Sequence, residues 1–80
     1  EQMDTKYELR MKKIGLNISY YRKLRSLTQE QLAERADMDR AYLGKIEAPN
    51  MLRPFSLETL FKISDALEVS ESDLLKFKND

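Results

Sequence analysis

Two short helical segments joined by a very short connection constrain the fold of this chain more than any other feature. Thr28 and Gln31 form a capping box, in which the threonine hydroxyl accepts from a backbone N–H and the glutamine side chain reaches back. This pattern predicts a helix over 29–36, and Asp39, a good N-cap, predicts another helix to about Glu47. So short a connection cannot bring the second helix back antiparallel to the first. The two helices must therefore cross steeply, in helix-turn-helix geometry.

The side chains around this turn suit such a crossing. Ala33 places a small residue where the two backbones approach each other. Asp37 occupies the turn position that commonly has a positive φ, which aspartate tolerates better than most residues, though less well than glycine. The apolar residues that can fill the angle between the helices are Leu32, Met38, Leu43 and Ile46.

The spacing of apolar residues also predicts the first helix. Ile14 and Ile18 begin a series at helical spacing, which gives an amphipathic helix to about Ser26. Residues 1–13 are polar and mixed in charge, so they form either an N-terminal arm or an extra turn or two of this helix. We therefore expect the folded domain to span 14–78.

The second half of the chain predicts a loop followed by two helices. Both prolines lie in 48–55, which favours a loop. Ser56 caps a fourth helix, and Ser70 caps a short fifth helix. The inward side chains expected on the fourth helix are Leu57, Leu60, Phe61, Ile63 and Leu67. Because no stretch alternates like a strand, the sequence predicts a compact all-α domain of five helices.

The composition excludes several classes of protein. With no His and no Cys among its 80 residues, the chain has no imidazole base, thiol nucleophile, disulfide or Cys/His zinc site. Its carboxylates lie on helix faces beside Lys and Arg, and it has no Gly-rich phosphate loop. We therefore expect no enzymatic activity, no cofactor and no metal. No apolar run could span a bilayer and no signal peptide opens the chain, so we expect a cytoplasmic protein without a membrane partner.

The charge is balanced overall but polarised along the chain. The net charge is zero, whereas nucleic-acid binders are usually basic. Residues 1–27 carry +4, from seven basic and three acidic side chains, while 28–47 and 48–80 carry −2 each, from three against five and from four against six. Taken alone, this distribution is better explained by ordinary solvated helix faces than by a binding surface.

The residues of the steep crossing resemble a known family, the Cro/CI-type (XRE) helix-turn-helix domain. The motifs that carry the resemblance are Arg22-x-x-x-x-Leu27-Thr28-Gln29-Glu30-x-Leu32-Ala33 and Met38-Asp39-Arg40-x-Tyr42-Leu43-x-x-Ile46-Glu47. The similarity runs from Ile14 to Leu75, about three quarters of the chain. Within the family, the chain is most like restriction-modification controller proteins or small phage-type repressors. It departs from the family pattern at Asp37, where the family has Gly, and at Gly44, where the family has Ser. The residues that follow Glu47 also differ from the pattern. The glycine at position 44 either permits a close approach of the helix to DNA or is a neutral substitution.

This resemblance implies a lambda-repressor-like fold and a transcriptional regulator that binds double-stranded DNA sequence-specifically. In such folds the third helix, here at about 39–47, enters the major groove. The residues at the family's base-reading positions are Arg40, Ala41, Gly44 and Lys45. The residues at its phosphate-contacting positions are Thr28, Gln29, Tyr42, Asn50 and Arg53. We also expect Tyr42 to pack partly on the helix bundle.

The resemblance further implies an ion pair and a dimer. Arg22 and Glu47 match the arginine and glutamate that pair in the family and would connect the third helix to the first. Operators of this class usually contain two half-sites ~34 Å apart, so we expect a homodimer on a two-fold symmetric operator. The residues predicted at its interface are Leu67, Val69, Leu74, Leu75 and Phe77.

One alternative function remains open from the sequence. Zero net charge also fits an antitoxin-like or other protein-interaction module with weak or no DNA binding. The two hypotheses differ in their salt dependence, because neutralising phosphates makes DNA affinity fall steeply as salt rises. A gel-shift titration at low and high salt would therefore distinguish them.

Overall fold

A computed structural model describes residues 5–48 and 54–77, which form five α-helices with no strand among them. This confirms the all-α class predicted from the sequence. None of the described helices is both long and apolar enough to cross a membrane. The helices are α1 (Thr5–Leu24), α2 (Gln29–Arg35), α3 (Arg40–Glu47), α4 (Leu57–Leu67) and α5 (Glu71–Leu75).

The first helix is longer than the apolar spacing indicates. It runs without a break from Thr5 to Leu24 and therefore includes the described part of segment 1–13. Of the two alternatives for that segment, an arm or a helix extension, the described part is helix. Leu24, in the last turn, leaves 58% of its surface exposed and does not contribute to the core.

Each of the four later helices begins at the N-cap that the sequence predicts. The Thr28 hydroxyl accepts from Gln31 N at 3.0 Å, and Gln31 Oε1 accepts from Thr28 N at 2.9 Å, which completes the capping box. The side chains of Asp39, Ser56 and Ser70 each accept a backbone N–H three residues later. These contacts satisfy N–H groups that otherwise have no partner at a helix start.

Three helices are followed by a residue with a positive φ, and none of these residues is glycine. The angles are 60° at Ser26, 52° at Asp37 and 60° at Glu68. The value at Asp37 confirms the turn geometry expected there. After each of these residues the next N–H donates back to a carbonyl five positions earlier: Leu27 to Arg22, Met38 to Ala33 and Val69 to Ser64. These bonds complete C-terminal caps of the Schellman type.

The hydrophobic core receives side chains from all five helices. Ala33 is 2% exposed, which fits its predicted place at the crossing of α2 and α3. The apolar side chains with no exposed surface are Ile18, Leu32, Leu43, Ile63, Leu67 and Leu74. The same core therefore supports α3 and fixes its direction relative to the other helices.

A glycine permits the close contact between α1 and α3. A Cβ built on Gly15 would overlap the backbone carbonyl oxygen of Ile46 and would lie 3.6 Å from Glu47 Cα. Gly15 has an ordinary helical φ, so proximity to α3 rather than backbone conformation requires a glycine here.

The prediction for the inward face of α4 is wrong at two positions. Leu57 and Phe61 are 68% and 45% exposed. The buried positions follow an i, i+3, i+4, i+7 stripe, and Phe61 lies about 100° around the helix from Leu60. Ser64 takes the inward place instead, and it can be buried because its hydroxyl donates to Phe61 O at 3.0 Å.

Polar side chains of α1 and of the residue that follows it hold the ends of α4 and α5. Asn17 Nδ2 donates to Leu74 O at 2.9 Å and to Lys76 O at 2.8 Å. Arg25 Nε donates to Leu67 O at 2.8 Å. These bonds satisfy carbonyls at the C-terminal ends of both helices, which lack partners within the helix.

Candidate nucleic-acid interface

The third helix has a buried face and an outward face. Leu43 and Ile46 are buried, at 0% and 6% exposure, and attach α3 to the core. On the outward face, Arg40, Ala41 and Lys45 are exposed. Three of the four predicted base-reading residues are therefore accessible to a partner, and Gly44, the fourth, is partly exposed between them.

A buried ion pair connects α3 to the scaffold. Arg22 Nε lies 2.9 Å from Glu47 Oε2, and Arg22 Nη2 donates to Glu47 Oε1 at 3.1 Å, so the contact is bidentate. The two side chains are only 12% and 5% exposed. Arg22 Nη1 also donates to Leu27 O at 2.7 Å. The pairing expected from the resemblance is confirmed, and it joins the end of α1, the loop before α2 and the end of α3.

Gln29 is a third member of this cluster that the sequence did not predict. Its Nε2 donates to Glu47 Oε1 at 3.1 Å. The sequence placed Gln29 at a phosphate-contacting position and gave no sign of this bond, because the two residues are 18 positions apart and meet only where α2 packs against α3. Gln29 therefore links the start of α2 to the end of α3.

An open depression lies between the first turns of α2 and α3. It is lined by Arg22, Thr28, Gln29, Glu30 and Arg40. The fold thus brings together one predicted base reader, Arg40, and two predicted phosphate contacts, Thr28 and Gln29. Glu30 contributes a carboxylate to the same depression.

The space around Gly44 does not require a glycine. Its φ is not positive, and the nearest atom to a Cβ built there is Gln29 Oε1, at 3.6 Å, an ordinary van der Waals distance. The absence of a side chain at this position leaves Gln29 lying directly against the bare helix. A larger residue at 44 would therefore contact Gln29 first.

The exposed charges near α3 are mixed rather than basic. Because Glu47 is paired and buried, four acidic and three basic side chains of segment 28–47 remain exposed. They are Glu30, Glu34, Asp37, Asp39, Arg35, Arg40 and Lys45. Non-specific attraction to phosphates from this segment is therefore weak.

The remaining predicted contacts have different outcomes. Tyr42 is half-buried and packs against the core cluster, as expected for partial packing on the bundle. Asn50 and Arg53, predicted to contact phosphate, lie outside the described residues. Their roles stay predictions from the resemblance.

The predicted dimer interface needs correction. Leu67 and Leu74 have no exposed surface, because both pack into the core of their own chain. They therefore cannot contact a partner subunit. Leu75 is 46% exposed, while Val69 and Phe77 are half-buried. Lys13 Nζ lies 5.3 Å from the centre of the Phe77 ring and covers part of it.

Two short helices that contact each other across a short connection, the second with its apolar face buried and basic side chains outward, define a helix-turn-helix domain. Comparison with known families agrees with this class. The helix-turn-helix family HTH_3 matches residues 18–74, and this chain belongs to that family. The resemblance noted in the sequence is thereby confirmed.

The chain is similar to several curated regulators. It is 39% identical to control protein C.SmaI of Serratia marcescens over 59 residues, which cover 74% of this chain and 68% of the relative. It is 37% identical over 67 residues to the transcriptional regulator SinR of Bacillus subtilis, covering 84% and 60%. It is 42% identical to the immunity repressor protein of Bacillus phage phi105, covering 78% and 42%. The chain therefore spans about two fifths to two thirds of the length of these relatives.

Two solved structures have the same architecture. The restriction-modification controller protein C.AhdI from Aeromonas hydrophila superposes with a TM-score of 0.74 at 31% identity, covering 80% of this chain and 94% of that one. SinR in complex with DNA superposes with a TM-score of 0.73 at 38% identity, covering 79% and 98%. Both similarities extend over most of the described helices.

Proposed function

We propose that this protein is a transcriptional regulator that binds double-stranded DNA sequence-specifically and inserts α3 into the major groove. The observation that carries this proposal is the outward face of α3, where Arg40, Ala41 and Lys45 are exposed while Leu43 and Ile46 anchor the helix. An α-helix fits the major groove, where each base pair presents a distinct pattern of donors and acceptors. Similarity to SinR, which has been solved in complex with DNA, supports the same conclusion.

The side chains on this face suit different features of the bases. Arg40 is in the first turn of α3, the part that penetrates the groove most deeply, and its guanidinium can donate twice to guanine O6 and N7. Lys45 can donate to guanine from the next turn, and Ala41 can contact a thymine methyl group. At Gly44 the bare backbone allows the helix to lie close to the base edges.

Phosphate contacts position α3 in the groove. Thr28 is the N-cap of α2, and Tyr42 lies within α3. Their hydroxyls can donate to phosphate oxygens, which fixes the register of the domain without contributing sequence information. Asn50 and Arg53 would extend these contacts from the loop before α4.

We further propose a cytoplasmic homodimer on a two-fold symmetric operator. One α3 helix contacts few base pairs, and two copies related by a two-fold axis would contact half-sites about one helical turn apart. After the correction above, the surface available to the partner includes Val69, Leu75 and Phe77.

The proposal is tested by selecting bound sites from a random DNA pool. We expect an enriched, symmetric sequence whose affinity exceeds that for random duplex by roughly 10³-fold or more at physiological salt. Affinity for both DNAs is expected to fall as salt rises, because the cations that neutralise phosphates release counterions from the DNA. No enriched sequence and no salt-dependent binding would instead favour a protein-interaction module.

A further inference from the structure

The amide of Gln29 is fixed in one orientation by the buried ion pair. Gln29 Nε2 donates to Glu47 Oε1, and the Arg22 guanidinium holds the same carboxylate. An ionised carboxylate accepts hydrogen bonds only, so the amide nitrogen and not the amide oxygen must face Glu47. Gln29 Oε1 must therefore point away from the cluster.

The outward oxygen lies against the bare part of α3. Gln29 Oε1 is 3.6 Å from the position that a Cβ on Gly44 would occupy. No residue in the described ranges donates a hydrogen bond to it. With no side chain at 44 to cover it, this acceptor stays available to a ligand on the recognition face.

The chemistry of this acceptor decides which part of DNA it can contact. Phosphate oxygens only accept hydrogen bonds, so a phosphate could accept from the remaining N–H of Gln29 but would leave Gln29 Oε1 without a donor, and the carboxylate of Glu30 in the same depression disfavours a phosphate there. Among base edges in the major groove, adenine offers the N6 amino group as donor and N7 as acceptor. An amide with one free oxygen and one remaining N–H matches that pair.

We propose that Gln29 recognises an adenine in the major groove, with Glu47 as the residue that positions it. This replaces the phosphate contact that the sequence suggests for Gln29, and it rests on the proposed function of the same interface. Arg40 lines the same depression, so the adenine lies close to the guanine that Arg40 contacts. Each half-site then contains a guanine and a nearby adenine recognised from two different helices.

The experiment combines a protein variant with altered bases in the selected operator. Each adenine is replaced in turn by purine, which lacks the N6 amino group, and by 7-deazaadenine, which lacks N7. For the wild-type chain we expect one position per half-site where either replacement weakens binding about tenfold or more. For Gln29→Ala we expect the same replacements at that position to have no effect, and affinity for random duplex to remain unchanged.

A matched variant controls for general effects on α2. Gln31→Ala changes the glutamine of the capping box, whose side chain faces Thr28 N and not the depression, so it is expected to keep the adenine discrimination. If Gln29→Ala weakens operator and random duplex by the same factor, or if adenine replacements act equally on both proteins, the inference is overturned. A wild-type chain that prefers no sequence in the preceding selection would overturn the proposed function itself.

The positioning role of Glu47 has its own readout. In Glu47→Gln, a neutral amide can present either an oxygen or a nitrogen to Gln29, so the orientation is no longer fixed. We expect this variant to lose adenine discrimination while it keeps the guanine preference that depends on Arg40. Equal loss of both preferences, in a variant whose thermal unfolding shows that it is folded, would contradict the positioning role.

Discussion

The two glycines of this chain both lie inside helices, and we expect their replacement by alanine to have opposite effects on stability. In a helix interior alanine is favoured over glycine by about 1 kcal/mol. At Gly44 a methyl group meets only Gln29 Oε1, at an ordinary distance of 3.6 Å, so most of this gain is retained. Gly44→Ala is therefore expected to raise the free energy of unfolding by up to about 1 kcal/mol.

At Gly15 the same methyl group would overlap the Ile46 carbonyl oxygen, which belongs to the backbone of α3 and cannot rotate away. The two helices must then separate, and overpacking of this kind costs about 1–3 kcal/mol or occasionally more. Because the obstacle is backbone in a buried contact, we take the upper part of that range. After subtracting the gain in helix propensity, Gly15→Ala is expected to lower stability by about 2 kcal/mol.

The assay is thermal unfolding followed by circular dichroism, with denaturant titration as a second measurement. For a domain of this size 1 kcal/mol shifts Tm by about 4–8 °C, so we expect a decrease of roughly 8–16 °C for Gly15→Ala and an increase of up to about 8 °C for Gly44→Ala. Equal shifts, or stabilisation by Gly15→Ala, would refute the close contact of α1 and α3.

On operator DNA, Gly44→Ala is expected to bind more weakly despite its greater stability, because its methyl group covers Gln29 Oε1. Unchanged affinity would indicate that the glycine at this position is a neutral substitution.

Three further predictions follow from the interface. Arg40→Ala is expected to cost about 1–3 kcal/mol on the selected operator and to relax the base preference at one position per half-site; an equal loss on random duplex would make Arg40 a phosphate contact. Glu47→Ala leaves the Arg22 charge buried without its partner, so the free energy of unfolding is expected to fall by about 3 kcal/mol or more. Glu34→Ala, on the exposed face, is expected to change it little. Similar unfolding of the two variants would contradict a structural ion pair. Leu75→Lys is expected to be monomeric in sedimentation experiments at tens of micromolar concentration while Leu24→Lys, on α1, still dimerises; a dimeric Leu75→Lys protein would place the interface elsewhere.

The features that the sequence predicts well depend on neighbouring residues. The capping box at Thr28 and Gln31 acts within one helical turn, and so does the N-cap Asp39. These local hydrogen bonds determine where α2 and α3 begin whatever the rest of the chain does. The steep crossing then follows from the short connection between the two helices.

The features that the sequence misses depend on contacts between distant elements. The spacing of apolar residues shows that α4 has a buried stripe, but not which residues lie in the middle of that stripe. Leu57 and Phe61 are apolar and fit the spacing, yet both are exposed. Counting apolar residues near the C-terminus does not show that Leu67 and Leu74 are already used by the core of their own chain. The bond between Gln29 and Glu47 arises only when two helices cross, so no local pattern could predict it.

The position of α1 between two other helices limits how the protein can adapt to its binding site. Gly15 contacts α3, and Asn17, about 200° further around α1, holds the end of α5. A single turn of α1 therefore separates α3, which we propose contacts DNA, from the C-terminal surface proposed to contact the partner. In a dimer built on that surface, the contacts of this turn with α3 and α5 would contribute to the distance between the two α3 helices. Operators with one base pair added between their half-sites are consequently expected to bind the second subunit more weakly.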